Sequence, residues 1–129
     1  MPLGQKLPEG MRYDVYTQAC PSRLVLDRVA DKWAVLILGR IDDEPVRFNQ
    51  LRREIQGISQ KVLSQTLKKL ERDGLIRREV FATVPVTVEY SITNLGKTLA
   101  DTIRSLARWA EANIEAVTQA QRRYDEAQS

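Results

Sequence analysis

The stretch SQKVLSQTLKKLERDGL, residues 59–75, decides how the rest of the chain is interpreted. Ser59 favours the start of a helix because its hydroxyl can accept a hydrogen bond from a free amide of the first turn. Gly74 favours the end of a helix because glycine adopts the left-handed conformation at little cost. Between them, leucines at positions i, i+4 and i+7 form one apolar stripe. The sequence therefore predicts an amphipathic helix over this stretch.

The face opposite the leucines carries amide, hydroxyl and ammonium groups, and its acidic residues come only in the last turn. Such groups reach phosphates and base edges, as the exposed side of a recognition helix in the major groove must do. Taken alone, the face also fits an ordinary solvated helix. The predicted contact residues on it are Gln60, Lys61, Ser64, Gln65, Lys68 and Lys69.

The elements around this helix predict a winged helix-turn-helix. A helical pattern over residues 48–55 and a tight turn containing Gly57 lead into it. After Gly74 the apolar period changes from 3.6 to 2 over residues 76–81 and 86–92. Two alternating stretches in succession predict a β-hairpin with one apolar face, which is the wing of such a domain.

Two further helices are expected before the pair. Pro21 favours the first helical position and makes Cys20 the expected N-cap of a helix that ends near Ala30. Asp31 is the expected cap of the next helix, residues 32–41, whose apolar centre should be buried nearly all round. A turn and a minimal strand of two residues, Val46 and Arg47, should follow.

A long final helix is expected over residues 95–122, capped by Thr93. It would span about 40 Å, more than the core of so small a domain can cover. Its apolar stripe is therefore expected to pack on a second subunit. The predicted dimer-interface residues are Leu99, Ile103, Leu106, Trp109, Ala110, Ile114 and Val117.

Composition excludes several classes of protein. The chain has 129 residues, enough for one domain, and a single cysteine with no histidine cannot form a zinc site or a His-dependent triad. We expect no enzyme, metal or cofactor. The longest apolar run, residues 33–38, is too short to span a membrane, and no signal-peptide pattern begins the chain. The lone cysteine fits a reducing compartment, so the cytoplasm is expected.

Positive charge is concentrated around the predicted recognition helix. Residues 47–78 hold nine basic and three acidic side chains, a formal charge of +6, whereas the remainder of the chain sums to −3. This local field is typical of a nucleic-acid binder. Arg52 and Arg53 before the helix, and Arg77 and Arg78 after it, are further phosphate candidates unless they pair with neighbouring acids.

The chain resembles the HxlR-type (DUF24) winged helix-turn-helix transcriptional regulators, relatives of the MarR group. The matching segments are CPSRLVLDRVADKW at 20–33, RFNQLRREIQGISQKVLSQTLKKLERDGLIRR at 47–78 and VEYSITNLGKTL at 88–99. The resemblance implies a mostly α-helical fold with a small β-hairpin wing. It also implies a homodimer, paired through the first and last helices, that binds a double-stranded DNA operator.

Two positions depart from the family pattern. Ala30 and Asp31 stand where a glycine pair usually precedes Lys-Trp, which predicts only a stiffer junction between two helices. Thr87 stands where an arginine usually precedes the Val-Glu-Tyr segment. That arginine would reach the DNA, so contact between the wing and DNA stays open.

Cys20 allows two interpretations. In a subset of family members the cysteine of a Cys-Pro motif senses oxidants, quinones or aldehydes, and Cys20 and Pro21 match that motif. A helix N-terminus and the nearby Arg23 would both favour the thiolate. The plainer interpretation is a small, packed and inert thiol.

Two alternatives to a redox-responsive regulator remain. One is a MarR-like regulator with a small-molecule effector near the dimer interface, and the other is a winged-helix module for protein interaction. Trp33 and Trp109 are expected in core and interface packing rather than in a ligand cage. The expected organisation is one structural domain with an arm over residues 1–18, a DNA-binding part over 19–94 and a dimerisation helix and tail over 95–129.

Overall fold

The computed structural model describes residues 13–129 and shows a mostly helical winged helix-turn-helix. Residues 1–12 of the expected N-terminal arm lie outside the described residues. The helices are α1 Ser22–Ala30, α2 Lys32–Ile41, α3 Phe48–Glu54, α4 Gln60–Arg72 and α5 Asn94–Gln128, and the strands are β1 Val46–Arg47, β2 Ile76–Phe81 and β3 Thr87–Ile92.

The predicted hairpin forms and is joined by the predicted minimal strand. The three strands are antiparallel in the order β1-β3-β2, so the two-residue strand pairs with the second strand of the wing. Ile76 lies opposite Ile92, and Val46 lies opposite Tyr90. The wing therefore forms two strands of a three-stranded sheet. The third strand, β1, lies at the other edge and is followed directly by α3.

The expected caps of three helices are confirmed. The Ser59 hydroxyl accepts a hydrogen bond from the Val62 amide at 3.1 Å, and the Asp31 carboxylate accepts one from the Trp33 amide at 2.9 Å. Gly74 has φ +75°, the left-handed conformation expected after the last turn of α4. These local signals therefore fix where α2 and α4 begin and where α4 ends, and Thr93 does the same for α5.

The core lies between α2, α4 and the inner face of the sheet. Ile37 and Leu38 of α2, Leu63 and Leu67 of α4, and Tyr90 of β3 are all buried. Burial of each large aliphatic side chain contributes roughly 1.5–3 kcal/mol. The leucine stripe of α4 is thus turned inward, and its polar face is left on the surface.

The expected N-cap of α1 is wrong by one residue. Pro21, not Cys20, is the N-cap residue, and it makes no side-chain cap hydrogen bond. The proline ring holds φ near −65°, and Pro21 already has helical angles of φ −60° and ψ −26°. The Cys20 side chain is consequently free to bond elsewhere.

Two expectations about burial and length also need correction. Leu36 of α2 is 49% exposed, so this helix is not buried all round. α5 ends at Gln128 rather than near residue 122, since the added residues are good helix formers and include no glycine or proline. At 35 residues, α5 is about 50 Å long. No helix within residues 13–129 has the length and apolar character needed to cross a membrane.

The start of α5 packs closely on the residue that follows α4. A Cβ atom added to Gly96 would overlap the carbonyl oxygen of Leu75, and it would lie 2.7 Å from a side-chain carbon of Ile92. Gly39 in α2 is the contrasting case, because a Cβ added there meets nothing within 4 Å.

We predict opposite effects on stability from the same substitution at these two glycines. Gly96→Ala should lower the free energy of unfolding by about 1–3 kcal/mol, because the backbone of Leu75 must move. Gly39→Ala should raise it by roughly 0.5–1 kcal/mol, since alanine is the better helix former and has open space. Urea unfolding followed by circular dichroism measures both. Equal stability of the two variants would contradict the close approach at Gly96.

Candidate nucleic-acid interface

Burial of one side of α4 determines which of its side chains are exposed to solvent. Leu63, Leu67 and Leu70 are buried, and Thr66 joins them with its hydroxyl donating to the Val62 carbonyl at 2.7 Å. The polar Thr66 side chain is therefore satisfied inside the fold. The opposite side of the helix faces away from the protein.

The centre of the exposed face is a row of four long polar side chains. Lys61, Gln65, Lys68 and Arg72 recur at i, i+4, i+7 and i+11, and all are exposed. An α-helix turns by 100° per residue, which places Gln60 and Lys69 on opposite sides of this row. Both are exposed, and Ser64 is half-buried on the same side as Gln60. Arg72 was not among the predicted contact residues, although its i+4 spacing from Lys68 indicates that it lies on the same face of α4.

Arg77 and Arg78 project to opposite faces of the sheet. Arg78 lines a cleft of about 240 Å³ between α4 and the sheet, which Ser64, Lys68 and Tyr90 also line. Because alternate residues of a strand point to opposite faces, Arg77 lies on the other side, opposite Ser91 in the register. Only Arg78 is thus brought together with the polar row of α4.

The two arginines of α3 also differ in position. The Arg52 guanidinium donates to the Gln60 side-chain oxygen at 3.5 Å, beside the start of α4. Arg53 lines a groove of about 610 Å³ between α3 and the wing, together with Arg47 and Thr87. Arg47, which was not among the predicted site residues, is placed beside the wing by the antiparallel pairing of β1 with β3 and forms an ion pair with Glu89.

Of the three acidic residues expected to compete for these cations, Glu54 and Asp73 are occupied elsewhere, whereas Glu71 is exposed and lines the same cleft as Lys68 and Arg78. Arg40 pairs with Glu54 and holds its pKa below the usual value, mainly through a direct hydrogen bond. Arg28 pairs with Asp73. Within residues 13–129, no ion pair is formed by the basic side chains of α4, by the two arginines of α3 or by those of β2. Their charge remains available to a ligand.

The Cys20 thiol is buried and engaged in two polar contacts. Its side chain is 6% exposed, its sulfur accepts from the Asp14 amide at 3.2 Å, and it lies 3.0 Å from the Ser22 hydroxyl. The hydrogen bond with Ser22 is the main cause of a lowered pKa of the Cys20 thiol, against the opposing effect of burial. The sequence suggested that Arg23 would favour the thiolate of Cys20, whereas in the structure the Ser22 side chain has this role.

The apolar stripe of α5 leaves the protomer after Ile103. Ile103 is buried in the core and Leu99 is half-buried against it. Beyond them Leu106 is 51% exposed and Trp109 is 60% exposed. The other predicted interface residues, Ala110, Ile114 and Val117, are exposed as well. Tyr124, which the prediction omitted, continues the stripe at the far end and is 66% exposed.

The sequence profile of HxlR-like helix-turn-helix proteins matches residues 28–118. This chain belongs to that family. It is 43% identical to the HTH-type transcriptional regulator YtfH of Escherichia coli strain K12 over 115 residues, which is 89% of each chain. The matched residues therefore include both helices of the helix-turn-helix, the wing and most of α5.

Solved structures of similar proteins agree with this fold. The transcriptional regulator ytfH from Salmonella typhimurium has a TM-score of 0.79 and 43% identity, over 87% of this chain and 99% of the other. The redox regulator HypR in its oxidised form has a TM-score of 0.68 and 38% identity, over 73% of this chain and 97% of the other. These HxlR-like relatives are named as regulators, not as enzymes.

Proposed function

We propose that this HxlR-like protein is a sequence-specific regulator that binds double-stranded DNA through α4. The observation that carries the proposal is the row Lys61, Gln65, Lys68 and Arg72, which is exposed and free of ion pairs within the described chain. An α-helix fits the major groove, where amide side chains read base edges and cations contact phosphates.

The side chains of the interface divide into two roles. Gln60 and Gln65 are the base readers, because an amide can both donate to and accept from adenine. The basic side chains hold phosphates and set the orientation of the helix. The proposed phosphate contacts on α4 and its neighbours are Lys61, Lys68, Lys69, Arg72, Arg52, Arg53 and Arg78, with Ser64 available to either role. Arg77 lies on the far face of the sheet, so we do not include it among the proposed phosphate contacts.

The active form in this proposal is a homodimer paired along α5. The exposed stripe from Leu106 to Tyr124 has no covering element within residues 13–129. A second copy would bury it on both chains at once, as a two-fold interface does. Pairing of two protomers also gives two α4 helices, which can read half-sites roughly 34 Å apart.

We further propose that Cys20 makes this regulator responsive to oxidants. The hydrogen bond from Ser22 lowers the pKa of the thiol, and the thiolate is the reactive form. The relative HypR, 38% identical, is named as a redox regulator. Modification of Cys20 would disturb the contacts that its sulfur makes with Ser22 and Asp14 at the start of α1.

Two substitutions on α4 should separate base reading from phosphate binding. On an operator selected from random duplex DNA, Gln65→Ala should weaken binding by about 1–3 kcal/mol and relax the base preference. Lys68→Ala should weaken all sequences alike and reduce the salt slope by about one. Arg122→Ala, which removes a charge from the far end of α5, is the control and should change neither.

Fluorescence anisotropy at several salt concentrations measures these affinities. If all three variants bind like the wild type, α4 is not the recognition helix. If wild-type protein shows no salt-dependent binding to duplex DNA, a protein-interaction module becomes the better account of the fold.

Leu106→Asp should convert the dimer into folded monomers. The substitution would bury a charge without a partner in the apolar interface, at a cost that exceeds the gain from the remaining contacts. Ser105→Asp, one residue earlier and outside the stripe, introduces the same charge and should stay dimeric. Sedimentation velocity gives the oligomeric state and circular dichroism verifies folding. A folded Leu106→Asp dimer would exclude α5 as the interface.

Diamide treatment should change the operator affinity of the wild type and leave Cys20→Ser unaffected. Because each chain has one cysteine, the products are an intersubunit disulfide or a mixed disulfide with an added small thiol. Ser22→Ala should raise the pKa of Cys20 and slow its modification at neutral pH. Mass spectrometry follows the modification. Full modification without a change in affinity, or no modification at all, would refute the switch.

A further inference from the structure

An ion pair joins α1 to the end of the proposed recognition helix. Arg28 of α1 donates through Nε to Oδ2 of Asp73, which is the C-cap residue of α4. Both side chains are mostly buried. Within residues 13–129 no other side-chain hydrogen bond or ion pair links α1 to a helix or strand. The polar connection between α1 and the rest of the fold is therefore concentrated in this pair.

The charge of Asp73 is balanced by Arg28. The second carboxylate oxygen of Asp73, Oδ1, is buried and has no hydrogen-bond partner in the described part of the chain. Loss of one partner from a buried ion pair leaves the other charge uncompensated, which is strongly unfavourable. A charged hydrogen bond also has a preferred geometry. The pair therefore favours one arrangement of α1 relative to the end of α4.

Packing at this end of α4 is incomplete. A cavity of about 520 Å³ lies between α1, the end of α4 and the first turns of α5, and its wall includes Arg28, Asp73 and Leu75. The leucine stripe of α4 is buried in the core. Apolar burial is non-directional, so it holds α4 on the core more firmly than it fixes the tilt of the helix. The ion pair thus supplies a directional contact where close packing is missing.

We propose that Arg28 is a positioning residue that acts through Asp73 to set the tilt of α4, and with it the separation of half-sites that the dimer accepts. The inference rests on the proposed binding of DNA by α4 and on the proposed dimer. Asp73 follows the last residue of α4 and Gln60 is the first of its 13 residues, so the helix separates them by about 20 Å. A tilt of about 10° at Asp73 would move Gln60 by about 3.4 Å, which is one base-pair step.

The test compares the affinities for two operators by fluorescence anisotropy. One operator is selected from random duplex DNA, and the other has one base pair inserted between its half-sites. The insertion moves one half-site by about 3.4 Å and turns it by about 35°. Wild-type protein should bind the selected operator at least about tenfold more tightly than the other. Arg28→Met/Asp73→Asn should reduce this ratio at least about threefold.

The double substitution isolates position from charge. It removes one cation and one anion, so it leaves the net charge unchanged and no lone charge buried. Any remaining change in the attraction to phosphates affects both operators alike and cancels in the ratio. Asp73→Ala is a second variant that breaks the pair, because the long Arg28 side chain can extend to water. It should reduce the ratio as well, whereas Arg28→Lys keeps a cation beside Asp73 and should retain it.

A second ion pair in the same protein provides the matched control. Arg104 of α5 pairs with Asp42 at the end of α2, and Asp42 is mostly buried as Asp73 is. Neither residue belongs to α1 or α4. Arg104→Met/Asp42→Asn likewise leaves the net charge unchanged, and it should show the wild-type ratio. Circular dichroism verifies that each variant is folded.

Several results would overturn the inference. They are a wild-type ratio near one, a wild-type ratio in either folded variant that lacks the Arg28–Asp73 pair, and an equal loss in Arg28→Lys or in the control. Wild-type protein that binds no duplex DNA would refute the proposed function and the inference together. Wild-type protein that discriminates between the operators, with variants that do so equally well, would refute the inference alone.

Discussion

One hydroxyl group, that of Thr93, links the end of α4 to the start of the long helix α5. It accepts a hydrogen bond from the Gly96 amide, which starts α5, and it can donate to the carbonyl oxygens of Gly74 at 2.7 Å and Leu75 at 3.1 Å. The same atom therefore caps one helix and holds the backbone that ends the other. The absence of a side chain at Gly96 allows the two segments to approach so closely. The contact therefore joins the end of α4 to the start of α5, and both helices also pack on α2.

Local signals in the sequence were enough to predict most of the fold. Ser59, Asp31 and Thr93 each cap the helix that was expected to follow, because a cap is decided by residues within one turn. The change of period after Gly74 likewise predicted the wing. The start of α1 was predicted one residue too early, because the residue types in Cys20-Pro21-Ser22 do not distinguish which of the first two precedes the helix.

The site was predictable where it depends on one helix and less so where it depends on pairing between elements. The helical period alone places Lys61, Gln65 and Lys68 on one face. The different positions of Arg77 and Arg78 follow from the register of β2 with β3, which the sequence does not specify. The partners Arg28 and Arg40 come from distant parts of the chain, so their ion pairs with Asp73 and Glu54 could not be read from local spacing.

Those two ion pairs affect the electrostatic field around the proposed DNA interface. Asp73 and Glu54 are two of the three acids within the basic segment 47–78, and each is neutralised by an arginine from another helix. Of the acids on α3 and α4, only Glu71 is then left without an ion pair to oppose the field of the exposed cations. A field of one sign accelerates diffusional encounter with a polyanion and supports sliding along it. If α4 binds DNA as proposed, Arg28 and Arg40 would affect the rate of the search without touching the nucleic acid.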